Sequence, residues 1–241
     1  MSDAAVQHAI RELVLANRIL AREDVIDDFG HVSVRHPTDP GRYFLSRSRS
    51  PVAVTADDIM EFTLDGTPVD QRGRRMYAER AIHGTIYMAR PEVTAVTHHH
   101  ARSVIPFTVL PDLEMKPIFH MGSVIGPHVP MWDSQPEFGD TNMLVDDLPK
   151  GHSLARALGG ARCVLLRGHG ATCVGRSLRE AVFVSVYMKH NAEMILATIP
   201  HGKPSWLTAG ETEQTATMLL SDMPLARAWD FWITRAGFSG L

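Results

Sequence analysis

The sequence predicts a layered α/β fold, built as a single domain over residues 1–241. Three observations predict it. Apolar residues recur at helical spacing near the start, the middle and the end of the chain; short alternating or wholly apolar runs lie between those segments; and the two kinds interleave irregularly, with no internal repeat or low-complexity linker. At 241 residues and 44% hydrophobic, the chain is long enough to bury one sizeable core.

Val6, Ile10, Leu13, Val14 and Leu20 place an amphipathic helix from Asp3 to about Arg22. After the acidic turn Glu23 to Asp28, Gly30 opens a strand in which Val32 and Val34 face one way and His31, Ser33 and Arg35 the other. A second strand runs from Arg42 to Ser48 and is closed by Pro51. Thr55 and Asp58 have capping-box spacing for a short helix, and Asp65-Gly66 turns the chain between residues 62–64 and 68–69. Ala78, Ala81, Ile82, Ile86 and Ala89 stripe a helix from Tyr77 to Ala89, ended before Pro91, on which Glu79 and His83 share a face. A buried strand, Val93 to Thr97, leads into His98-His99-His100, and Val104 to Leu110 is a further apolar segment. Ser153 to Leu158 reads as a short helix stopped by Gly159-Gly160, and Cys163 to Leu166 as an apolar strand ending in Arg167-Gly168-His169-Gly170. Ser177 and Glu180 open a long helix to about Thr198 that Pro200 terminates, and helices near 211–220 and 225–235 complete the chain.

Composition narrows the function. A net charge of −3, a pI near 6.5 and no run of five Lys or Arg argue against nucleic acid as a partner. No apolar stretch reaches the roughly 18 residues of a bilayer span, and Met1 to Ala5 lacks a basic flank leading into an apolar run. The expectation is a cytoplasmic protein without a membrane partner. Cys163 and Cys173 read as reduced, apolar side chains. Histidine stands out at 13 residues, three of them consecutive.

In an extended segment residues i and i+2 project to one side, roughly 6.5 Å apart, so His98 and His100 can share a target while His99 faces away. A divalent cation needs at least three protein ligands near 2.0–2.2 Å if a position is to stay open for substrate. His169 supplies the third: it follows an apolar strand and sits between two glycines that let the backbone turn sharply. Glu79 is the carboxylate to set beside them, as fourth ligand or as acid/base. Three imidazoles and one carboxylate suit Mn, Zn, Co or Fe, and no organic cofactor motif is visible. His83 reads either as a ligand couple with Glu79 or as a histidine that is solvated or satisfied in the core. His120 and His128 flank the segment 117–130, read as a pocket wall or a plain loop. Trp229, Phe231 and Trp232 suit either an aromatic lid or a packed helix.

Gly30-His31-Val32-Ser33, Glu79, His98-His99-His100 and Gly168-His169-Gly170, in this order, resemble the class II aldolase/adducin family over about Ala9 to Asn191. The resemblance implies a three-layer α/β/α sandwich around a central mixed sheet. It also implies a divalent metal on the three histidines and a homotetramer with its active site at a subunit boundary. Where the family's sugar-phosphate aldolases carry an Asn, a small-residue phosphate turn and a serine pair, this chain has His31, Ser46-Arg47-Ser48-Arg49-Ser50 and Tyr77-Ala78. Those departures speak against a phosphorylated substrate.

The variant pattern resembles the family's decarboxylase branch, whose members act on hydroxylated aromatic dicarboxylates such as dihydroxyphthalate and 3-hydroxypyridine-4,5-dicarboxylate. By that resemblance His31, Ser46, Arg47, Ser48, Arg49 and Tyr77 face a small carboxylate substrate. Arginine's planar fork fits a carboxylate, and its alternative here is a structural ion pair. His120 falls near the place of the aldolases' tyrosine proton donor, which comes from a neighbouring subunit. The expected activity is metal-dependent, non-oxidative decarboxylation, with Glu79 or His120 supplying the proton. The alternatives are an aldolase for an unphosphorylated hydroxy-oxo acid, an iron-dependent oxygenase, and a metal-free, adducin-like interaction module.

Overall fold

The N-terminal periodicity becomes α1 (Ser2–Arg22), which buries Leu13, Ala16, Ile19 and Leu20 on its inner stripe. The computed structural model describes residues 2–237. Strands β1 (His31–Arg35), β2 (Arg42–Ser46) and β3 (Ile59–Thr63) follow, then α2 (Arg80–Ala89), β4 (Ala95–His99), α3 (Pro106–Val109), β5 (Met131–Trp132) and α4 (Gln135–Phe138). The chain continues through α5 (Leu148–Leu158), β6 (Cys163–Leu166), β7 (Gly170–Gly175), α6 (Leu178–Thr198), α7 (Ala209–Leu219) and α8 (Asp222–Arg235). The strands form one mixed sheet in the order β3-β2-β1-β4-β7-β6-β5, antiparallel except where β5 lies beside β6.

Strand alternation sorts the side chains into two cores. Val32, Val34, Ala95, Ala171 and Cys173 join residues of α1, α6 and α8 on one face. Leu45, Val96, Val164, Leu166 and Val174 join residues of α2 and α5 on the other. The result is the expected α/β/α layering. Each fully buried Val, Leu or Ile contributes roughly 1.5–3 kcal/mol, so covering both faces is what stabilises strands as apolar as β6. Trp229 and Trp232 are buried against α1 and α6 while Phe231 is exposed, and none of the three lines the cavity beside the histidines. Among the described residues no helix is long and apolar enough to cross a membrane.

Several boundaries differ from the sequence expectation. α2 begins at Arg80 rather than Tyr77, because the Tyr77 hydroxyl donates to the Arg49 carbonyl and the Arg80 guanidinium donates to the carbonyls of Gly66 and Tyr77. Glu79 is therefore the residue before the helix, and the Glu79–His83 ligand couple does not form. α5 starts early, at Leu148, because the Asp147 side chain accepts from the Lys150 N–H at 2.9 Å. β4 runs through His99, so His98 lies inside the strand. β3, β5 and β7 lie outside the strands the sequence predicts. Ser177 caps α6 as expected, accepting from the Glu180 N–H.

Candidate metal centre

One end of the sheet gathers the chemistry. In the β1–β4 register His31 stands opposite His98, and β7 pairs on the far side of β4, with Thr172 opposite His98. His100 follows the end of β4, while His169 occupies the turn between β6 and β7. Gly168 has φ +63°, and a Cβ on Gly170 would lie 2.3 Å from the His99 carbonyl oxygen, so glycine on both sides of His169 lets the turn close against β4. Glu79 reaches in from the start of α2, its Oε1 accepting the Val145 N–H at 3.0 Å.

These residues converge. His98 Nε2 and His100 Nε2 are 3.1 Å apart, and Glu79 Oε2 lies 3.6 Å from His98 Nε2 and 3.7 Å from His169 Nε2. All four donor atoms lie within 4.8 Å of one another. Donors bound to one cation at 2.0–2.2 Å are separated by about 3–4.4 Å, a range that holds the separations of 3.1, 3.6 and 3.7 Å, so the residues present fit a divalent ion with three imidazoles and one carboxylate. The rings are stacked or edge-on, His100 against His169 at 5.0 Å between centroids and His98 against each at 4.9 Å.

Electrostatics favours the same use. Burial lowers the pKa of His98 far below the ordinary histidine value and that of His169 to about 4, in each case with help from neighbouring histidines. Both imidazoles are thus neutral and offer a lone pair. Burial pushes Glu79 up to about 7 against the pull of the Val145 N–H, with Asp146 adding to the rise. A cation among these groups would favour its carboxylate form. The outer nitrogens are held as well: His100 Nδ1 lies 3.2 Å from Asp27 Oδ1, and His98 Nδ1 lies 3.3 Å from Thr172 Oγ1. Such contacts fix which nitrogen faces inward. Burial opposes the ionisation of Asp27, but the Phe29 and Gly30 N–H groups and His100 outweigh it and lower its pKa. The sequence reading missed Asp27 and Thr172, since nothing in their spacing links them to histidines some 70 residues away.

The cluster opens into a cavity of about 650 Å³ lined by His31, Ser48, Arg49, Tyr77, Leu144 and Phe29, among others. Four of the expected substrate-facing residues are thus at the cavity. Ser46 is not: it is buried, its hydroxyl without a well-formed hydrogen bond. Arg47 is not either, and its Nε bonds Asp58 at 2.6 Å. Arg49 makes a longer contact with the same carboxylate, 3.3 Å, while remaining on the cavity wall. His120 is exposed at the start of a 3-10 turn packed on α6 and α7, outside the cavity of its own chain. His128 lines other cavities. His99 faces the opposite core, with Nε2 3.7 Å from Cys173 Sγ.

The fold and the site define a class. The family described as "Class II Aldolase and Adducin N-terminal domain" matches residues 11–196, and this chain belongs to it. The chain is 30% identical to "Decarboxylase tropJ" of Talaromyces stipitatus, covering 96% of this chain and 95% of that protein. It is 27% identical to a "3,4-dihydroxyphthalate decarboxylase" of Rhodococcus jostii, over 84% of this chain and 85% of the relative. In structure it matches an aldolase II superfamily protein from Pseudomonas syringae with a TM-score of 0.81, at 22% identity, covering 98% and 94% of the two chains.

Proposed function

We propose that this chain is a divalent-metal-dependent decarboxylase that removes a carboxylate, without oxidation, from a hydroxylated aromatic or heteroaromatic (di)carboxylic acid. One observation carries the reading: three histidines and a glutamate converge to within 4.8 Å in a cavity that Arg49 and His31 also line. The decarboxylases among its relatives support it.

In this reading His98, His100 and His169 hold the cation, with Glu79 as ligand or as acid/base. Mn, Zn, Co and Fe all suit that donor set. Bound there, the ion supplies Lewis-acid stabilisation of the negative charge that develops as CO2 departs, a contribution of several kcal/mol. Arg49 turns its free guanidinium edge to a second carboxylate, and its contact with Asp58 sets the angle of the fork. Phe29, Tyr77 and Leu144 give the cavity apolar walls against which a flat ring can lie. In its acid/base role, rather than as a ligand, Glu79 carries the proton that the ring carbon takes up after CO2 leaves. His120 can serve only the site of a neighbouring copy, within the homotetramer that this reading includes.

The test is metal analysis of the purified protein, combined with a CO2-release screen of 3,4-dihydroxyphthalate and other ortho-hydroxy aromatic acids. Bound metal, with CO2 and ring product in equal amounts, is the expected result. A carbonyl fragment without CO2 would instead establish an aldolase of an unphosphorylated hydroxy-oxo acid, and O2 uptake an oxygenase. A protein with neither metal nor turnover would be an adducin-like interaction module.

A further inference from the structure

Beneath the cavity, β1 and α2 carry a line of polar side chains that the reaction above does not use. His31 Nδ1 lies 2.7 Å from His83 Nε2, His83 Nδ1 lies 2.6 Å from Ser33 Oγ, and Ser33 Oγ lies 2.8 Å from the Tyr87 hydroxyl. Strand alternation puts His31 and Ser33 on one face, and helical spacing puts His83 and Tyr87 on the stripe opposite. All four are at most 1% exposed. A buried network of this kind is favourable only if every member is satisfied.

Among the described residues no carboxylate hydrogen-bonds either imidazole, and burial pushes His83 down to about 3 and His31 well below its ordinary value, so both rings are neutral with one N–H each. Such a chain of single donors has two self-consistent directions. In the first, Tyr87 O–H donates to Ser33, Ser33 O–H to His83 Nδ1, and His83 Nε2–H to His31 Nδ1, which leaves the proton of His31 on Nε2. In the second every bond reverses and Tyr87 must donate elsewhere. Among the described residues the acceptor in reach is the Thr94 carbonyl at 3.4 Å, beyond a good O–H···O bond and already holding the Arg35 N–H at 2.7 Å. The first direction uses only the short bonds, so it is the stable one.

We propose that Tyr87, Ser33 and His83 lock His31 in its Nε2–H tautomer, making that ring edge a fixed, neutral hydrogen-bond donor to an anionic oxygen of the substrate. Ser33 and His83 act as positioning residues, through His31. No described residue hydrogen-bonds His31 Nε2, and His31 lines the cavity, so this edge is the one left for a ligand. The same tautomer keeps His31 from ligating the metal: its ring lies 5.1 Å from that of His98, but a protonated nitrogen has no lone pair to give. The identity of the oxygen rests on the decarboxylase reading, whereas the tautomer does not.

The test is long-range 1H–15N spectroscopy of zinc-loaded protein labelled on histidine nitrogens, with His31 and His83 assigned through His31→Asn and His83→Gln. Both rings should be neutral Nε2–H tautomers. Ser33→Ala should populate the Nδ1–H form at both, and Ser33→Thr should restore the original state. With 3,4-dihydroxyphthalate, Ser33→Ala should lose about tenfold or more in kcat/KM. His83→Gln, whose amide can replace both contacts, should keep more activity than His83→Leu. An Nδ1–H tautomer or an imidazolium at His31 of the unaltered protein overturns the lock, whatever the reaction. Unchanged turnover in a Ser33→Ala protein whose tautomers have shifted overturns the donor role. The lock found intact with no CO2 released sinks the decarboxylase reading alone.

Discussion

Asp27 touches no donor atom of the cluster directed at the cation position, yet it sets which nitrogen His100 presents there. Its replacement by Asn keeps a polar partner but removes the charge that favours an Nδ1–H on the ring. Asp27→Asn should weaken zinc binding by about 10- to 100-fold with the circular dichroism spectrum unchanged. Competition against a chelator measures this, and equal affinity would remove Asp27 from the site. The two arginines separate in the same way. Arg49 lines the cavity, so Arg49→Gln should raise KM for a dicarboxylate by about tenfold or more, and Arg49→Lys should recover only part of it. Arg47 spends its Nε on Asp58 outside the cavity, so Arg47→Gln should leave KM within about twofold. At this scale the sequence shows the groups that alternation or flanking glycines single out, namely His98, His100 and His169. It hides those whose role depends on which distant segment folds against them: Asp27, Thr172, and the burial of Ser46 away from the cavity.

Between elements, the same competition decides which strands can be read in advance. β6 is legible because Cys163–Leu166 is an unbroken apolar run. β7 is not, since Gly170–Gly175 is bounded by glycines and mixes small and polar residues, and it is its pairing with both β4 and β6 that makes it a strand. α2 carries a related conflict between local preference and packing. Gly84 lies inside the helix, where alanine would be favoured by about 1 kcal/mol. A Cβ there would sit 1.9 Å from the Leu64 carbonyl oxygen, in the turn after β3. Relieving that clash moves backbone and costs about 1–3 kcal/mol, so packing should win. Gly84→Ala should therefore lower the stability measured by urea unfolding. Gly210→Ala, in α7 with nothing within 4 Å of the new Cβ, should leave it unchanged or raise it by up to about 1 kcal/mol. A stabilised Gly84→Ala protein would show that α2 does not rest on that turn.

For the molecule as a whole, placing a polar strand face under α2 makes folding depend on pH. An unfolded histidine takes up a proton near pH 6.5. In the folded chain burial holds His83 down to about 3, and burial together with His83 holds His31 well below its ordinary value. Above pH 6.5 neither state is protonated and these groups leave stability undiminished. As the pH falls below 6.5, the unfolded chain binds protons that the folded chain refuses, so stability declines until the folded pKa is reached. Each such histidine contributes a slope of up to about 1.4 kcal/mol per pH unit. Asp58 acts in a lower window. Burial opposes its ionisation, but Arg47 and Thr55 outweigh it and keep its folded pKa below 3.8, so its contribution is lost only beneath that pH. Between about pH 6 and pH 4.5 the buried histidines and Glu79 act in opposite senses, because Glu79, pushed up to about 7, holds in the folded chain a proton that the unfolded chain lacks, so the histidine contribution is read from a difference between variants. His83→Gln removes one of these histidines together with its share of the depression of His31, so the difference from the unaltered protein reports the His83–His31 pair. Urea unfolding across that range should give a slope shallower by up to about 1.4 kcal/mol per pH unit in His83→Gln. Parallel slopes would mean that His83 is protonated in the folded chain, and the β1–α2 network could not then run in the direction its distances favour.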